Sequence, residues 1–166
     1  MPKVSFFCEE IPFTVPSKKL LSEWIRIITE NERKKLIAVS YIFCTDEYLY
    51  QMNVEYLQHD TYTDIITFDQ SEDKDEIEGD IFISIPRVYE NAKELNLPFE
   101  DELLRVLSHG VLHLCGYEDE TDEQEALMRE KENSAIELFK TITAFAKKSF
   151  AVKFSGEMMA VLEKKS

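Results

Sequence analysis

Leu107-Ser108-His109-Gly110-Val111-Leu112-His113-Leu114-Cys115-Gly116-Tyr117-Glu118-Asp119 is the stretch on which the fold turns, because it sets two of the chain's three histidines four apart inside a helical run. At 3.6 residues per turn, positions i and i+4 lie one above the other, so both imidazoles can bind one ion without backbone strain. Gly116 is placed as the left-handed stop of that helix, and Asp119 follows in the next turn. His-x3-His-x5-Asp therefore reads as a zinc-type site with three protein ligands, His109, His113 and Asp119, and an open position for water. Cys115 also follows His113 closely, but its helical angle turns it away from the histidine face.

Working outward, Leu103, Leu104, Val106, Leu107, Val111, Leu112 and Leu114 make this helix apolar nearly all round, as expected of a central buried helix. Pro98 suits its first turn, and Glu100, Asp101 and Glu102 complement the positive end of its dipole. Upstream, residues 3–8 suit a strand, and Ser17 is placed to cap an amphipathic helix reaching Arg33. Leu36 to Cys44 reads as a second strand, and Thr45 as the cap of a helix over Asp46 to Tyr56. Ile65 to Phe68 and Ile81 to Ile85 read as two more strands, with the acidic run Asp69 to Glu78 between them as a solvated loop. Pro86 breaks the pattern before a helix from Val88 to Leu95. Downstream, Thr121 or Asp122 caps a further helix running to Phe139. This order predicts an α+β domain, with a small mixed sheet of about four strands packed on about five helices.

The chain has 166 residues, 44% of them apolar, enough for one domain with a real core. Its first residues, Met1 to Ser5, lack the apolar run of a signal peptide, and no later segment approaches a membrane span. A cytoplasmic location and no membrane partner are expected. Cys8, Cys44 and Cys115 are too few and too scattered for a disulfide framework, so reduced thiols are expected. A net charge of −14 argues against sequence-blind coating of nucleic acid, so any RNA contact is local and no DNA partner is expected. Only the end is basic: Lys147, Lys148, Lys153, Lys164 and Lys165 outnumber Glu157 and Glu163. Residues 1–140 are thus read as the functional domain, and 141–166 as a basic C-terminal extension, helical or partly disordered.

The histidine stretch resembles the signature of the YbeY family, single-strand-specific metallo-endoribonucleases that act as rRNA maturation factors: His-Gly-x-Leu-His-Leu-x-Gly-Tyr-Asp-His. Further blocks stand in the same order as in that family. They are Met52-Asn53 with Tyr56, then Thr63-Asp64-Ile65-Ile66-Thr67-Phe68, then Gly79-Asp80-Ile81. Two positions depart from the family pattern: Asp119 stands where the third histidine is expected, and Leu57 where an arginine is expected. The resemblance implies a zinc-dependent endoribonuclease that uses a metal-bound water as nucleophile. It also implies ribosomal RNA or the ribosome as partner, in maturation of the small-subunit rRNA 3′ end and in ribosome quality control.

His109, His113 and Asp119 would then be catalytic through the metal, with Glu118 a candidate for proton transfer beside Glu120 and Asp122. His59 is the remaining histidine, most simply a loop residue. Arg87 or Arg105 could supply charge near the phosphate, while Asp64 and Asp80 read as turn or supporting residues. Two other readings compete. A zincin-like metalloprotease would need the Glu of His-Glu-x-x-His, and Gly110 occupies that place. A non-catalytic, metal-stabilised ribosome-associated factor would need a closed coordination shell.

Overall fold

Alternate residues of the strands feed two different cores, and this sorting places every helix. In the computed structural model, which describes residues 3–57 and 63–164, the elements run β1 (Lys3–Cys8), α1 (Lys18–Asn31), β2 (Lys35–Cys44), α2 (Asp46–Leu57), β3 (Ile65–Asp69), β4 (Glu76–Ser84), α3 (Ile85–Leu95), α4 (Phe99–Leu114), α5 (Asp122–Phe145) and α6 (Gly156–Glu163). His59 lies outside the described residues. The strands form one mixed sheet in the order β1-β2-β4-β3, parallel except for the β3–β4 pair. This is the α+β architecture expected from the order of elements.

Val39, Tyr41 and Phe43 of β2, Ile77, Ile81 and Ile83 of β4, and Ile65 of β3 belong to the main core, with α1, α4 and α5. Ile66, Phe68, Phe82 and Cys44 point the other way and meet Leu49 of α2 in a second, smaller cluster. The period of two along each strand makes this division, and the Ile65–Ile83 and Ile66–Phe82 pairs keep it in register. Two buried side chains tie helices to the main core through backbone carbonyls. Tyr41 donates to the Leu107 carbonyl at 2.8 Å, and Trp24 to that of Ala135 at 2.7 Å.

Several boundaries differ from the sequence reading, each for a local reason. The acidic run is a loop only over residues 70–75, since Asp69 closes β3. Glu76-Ile77-Glu78-Gly79-Asp80-Ile81 alternates charged and inward residues and forms the first half of β4, the strand between β2 and β3. Pro86 starts α3 rather than interrupting it, since a first-turn proline lacks only an amide hydrogen that the helix would leave unused. The Ser84 side chain accepts from the Arg87 amide at that end. Pro98 precedes α4 as its N-cap instead of lying in the first turn. Ser17 has left-handed backbone (φ 56°) and makes no side-chain cap. Helix α5 passes residue 140 and runs to Phe145. Beyond it, α6 returns to the main core with Met158 and Leu162 buried and packs on α3. Among the described residues no helix is long and apolar enough to cross a membrane.

Candidate metal centre

Helix α4 is buried on all sides except one stripe, on which Arg105, His109 and His113 follow one another at intervals of one turn. The helix lies so close to the sheet at Gly110 that a Cβ there would stand 2.8 Å from Cγ2 of Ile81 and 3.1 Å from Cδ1 of Ile65. Gly110 is therefore required by packing, and it faces the sheet rather than the cleft. A zincin glutamate at this position would have no room and would point away from the histidines.

The outer nitrogen of each imidazole is held by a different kind of partner. His109 Nδ1 lies 2.6 Å from Oε2 of Glu132, a carboxylate buried on α5. His113 Nδ1 lies 2.8 Å from the Tyr117 carbonyl, which can only accept, so this nitrogen carries the hydrogen. With both Nδ1 atoms donating, the two Nε2 atoms face each other 3.0 Å apart, and in the neutral form of each ring that atom carries the free lone pair. Asp119 adds a carboxylate oxygen 3.3 Å from Nε2 of His109 and 3.4 Å from that of His113.

Three acceptor atoms facing one another repel unless a positive charge, a proton or a metal ion, sits among them. The separations suit a metal ion: ligands at ~2.0–2.1 Å around a tetrahedral zinc lie roughly 3.3 Å apart. His109, His113 and Asp119 all place ligand atoms within 4.8 Å of one another, the one such group among the described residues. The surroundings favour positive charge. Burial opposes protonation of His109, but the hydrogen bond to Glu132 and the charges of Glu132, Asp119 and Asp64 outweigh it and raise its pKa. Burial likewise works against the Glu132 anion, yet hydrogen bonds from His109 and Arg105 leave its pKa lowered.

The turn between α4 and α5 sets Asp119. Gly116 has φ +109°, and the Tyr117 amide returns to the Leu112 carbonyl at 3.1 Å. The Tyr117 hydroxyl donates to Glu32 on the C-terminal side of α1 (2.6 Å), and Lys131 donates to the same carboxylate at 3.1 Å. Beyond Asp119, Thr121 and Gln124 form a capping box, and the Gln124 side chain also accepts from the Glu120 amide at 3.0 Å. The aspartate is thus pinned from both sides.

The other candidate residues fall as follows. Glu118 and Glu120 line the same cleft as the histidines but bring no oxygen into the cluster. Asp122 lines a neighbouring recess. Asp64 lies in the cleft wall, where Asn91 donates to it at 3.3 Å and burial raises its pKa. Asp80 accepts from Gln70 on the sheet and lines none of the recesses at the cluster. Arg87 is committed to Asp46 through two hydrogen bonds, of 3.1 and 2.6 Å, and Arg105 to Glu132 at 3.0 Å. Burial pushes the Cys115 thiol up to about 12, and all three cysteines are free. Glu132 was not singled out from sequence. Its signal was a carboxylate on the apolar stripe Met128, Ala135, Ile136, Phe139, where a charge is kept only with a partner.

Comparison with known proteins gives a consistent answer. Residues 8–140 match the family profile described as Endoribonuclease YbeY. A relative from Flavobacterium johnsoniae named Endoribonuclease YbeY is 48% identical over 133 residues, covering 80% of this chain and 95% of the relative. One of the same name from Cytophaga hutchinsonii is 47% identical, covering 82% and 96%. Among solved structures, the solution structure of TM1509 from Thermotoga maritima superposes with a TM-score of 0.60 at 30% identity, covering 88% of this chain and 96% of that one.

Proposed function

This chain belongs to the YbeY endoribonuclease family, and on that premise we propose that it is a zinc-dependent endoribonuclease specific for single-stranded RNA. Its proposed task is maturation of the small-subunit rRNA 3′ end and ribosome quality control in the cytoplasm, with ribosomal RNA or the ribosome as partner. The observation that carries the metal reading is the convergence of two imidazole Nε2 atoms and the Asp119 carboxylate, at 3.0, 3.3 and 3.4 Å. The strand preference and the ribosomal target rest on the family resemblance.

His109, His113 and Asp119 are the residues that would hold the ion. A zinc ion bound there would supply a hydroxide nucleophile near neutral pH and a Lewis acid for a phosphoryl oxygen. Glu132 and the Tyr117 carbonyl keep the imidazoles in the tautomer that leaves Nε2 free for the ion. The neighbouring cleft, about 680 Å³ and walled by β3, the end of α2 and the turn after α4, is where the substrate strand would lie. Glu118, exposed on its rim, is the residue proposed for proton exchange with the leaving group.

The test is cleavage of single-stranded and duplex RNA by the full-length chain, with and without chelator, beside His113→Ala. Cleavage of the single strand, lost with chelator and in the variant, is expected. Chelator-insensitive cleavage, or full activity of the variant, would overturn the reading. Metal-dependent turnover of casein without RNA cleavage would favour a protease instead.

A further inference from the structure

The histidine cluster stands at a junction rather than at the end of a pocket. Three recesses open onto both His109 and Asp119. One lies between β3, α2 and the turn, with Leu57 and Thr67 in its wall; another runs along α5, with Asp122, Glu125 and Arg129. A polynucleotide with one phosphate at the cluster would therefore place its neighbouring phosphates in recesses on either side.

Charge makes the two sides unequal. Carboxylates dominate all three linings, so a phosphodiester entering them meets repulsion unless a cation receives it. Arg105 and Arg129 are the only lysines or arginines in these linings among the described residues. Arg105 is spent: its side chain is 17% exposed, donates to Glu132 at 3.0 Å and to Asn133 at 3.2 Å, and lies 3.6 Å from Glu102. Arg129 is different. Its side chain is 60% exposed, and its one ionic contact among the described residues, with Glu132 at 3.6 Å, is too long for a hydrogen bond. A guanidinium with uncommitted donors, at the rim of two recesses that share the metal ligands, matches the bidentate geometry of a phosphate. In the recess beside β3 and α2, Leu57 offers no charge.

We propose that Arg129 binds the RNA phosphate next to the scissile one on the α5 side and thereby positions the strand across the histidine cluster. This assignment rests on the endoribonuclease reading above. Arg129 is a substrate-binding residue rather than a metal ligand, so it acts on RNA affinity while metal content stays unchanged.

The test is fluorescence anisotropy of the zinc-loaded full-length chain with a labelled single-stranded RNA made uncleavable by 2′-O-methyl groups, over a range of salt. Wild type is compared with Arg129→Gln, Arg129→Lys and, as a control of equal charge change outside the cleft, Arg26→Gln. Arg129→Gln should weaken binding about tenfold at low salt, as for loss of a charge-assisted hydrogen bond. It should also flatten the salt dependence by about 0.7 in log–log slope, one phosphate contact on a single strand. Arg129→Lys should keep the slope and recover part of the affinity, and Arg26→Gln should change neither. Unchanged affinity and slope in Arg129→Gln, an equal loss in Arg26→Gln, or no binding by wild type would overturn the assignment. Wild type that binds this probe but never cleaves unmodified RNA would instead overturn the nuclease reading, leaving the binding comparison to judge Arg129.

Discussion

His109 and His113 sit one turn apart on the same helix, yet the regions that hold them are built on different principles. Behind His109 stands a wall of buried charge on α5: Glu132, only 5% exposed in its side chain, links the imidazole to Arg105. Behind His113 stands a turn, in which a backbone carbonyl orients the ring and the same few residues deliver Asp119. A buried charge has no substitute when it is removed, because its partner is left uncompensated. A carbonyl cannot be removed by substitution and fails only if the backbone moves. The wall is therefore vulnerable to changes of charge, and the turn to changes of conformation.

The largest effect is expected on the wall. Glu132→Gln keeps the shape but removes the anion, and metal affinity should fall roughly 10–100-fold, as for other supporting partners of metal-bound histidines. A metal titration reads this directly, and thermal unfolding should show a lower Tm as Arg105 loses the nearer of its two counter-charges. On the turn, Gly116→Ala puts a side chain at φ +109°. It should cost about 1–3 kcal/mol of stability, seen as a lower denaturant midpoint with unchanged m. Its effect on metal affinity should be smaller than that of Glu132→Gln, and the reverse order would break the distinction between wall and turn. The smallest effect is expected from Tyr117→Phe, which removes a partly exposed hydrogen bond to Glu32 and should cost about 1 kcal/mol. Metal affinity should stay within about twofold, since the Tyr117 carbonyl remains tied by its own amide to Leu112. A large loss of metal there would show that the hydroxyl, not the backbone, sets the turn.

Much of the turn was legible in the sequence and much of the wall was not. His109, His113, Gly116 and Asp119 fall within a span of one helix end and its turn, so helical period and glycine chemistry suffice to bring them together. Glu132 comes from another helix, and its distance from His109 is a result of α4–α5 packing that no local pattern encodes. Arg129 escaped for the same reason: on the sequence it is one charge among many on α5, and only the packed helices show that it reaches the rim. Within the sheet, the odd–even division of β2 and β3 follows from alternation. The first half of β4 was hidden because Glu76, Glu78 and Asp80 look like loop composition unless the intervening Ile77, Gly79 and Ile81 are read as the buried face. Ser17 shows the opposite failure, a residue type suited to capping whose backbone adopts a left-handed conformation instead.

The most direct test of the central claim, that His109, His113 and Asp119 converge to hold one ion, is native mass spectrometry of the full-length chain with added zinc. One ion per chain in wild type, retained in Cys115→Ser and lost in His109→Ala/His113→Ala, is the expected result. Equal zinc occupancy in wild type and the double-histidine variant, or no bound ion in wild type, would contradict it.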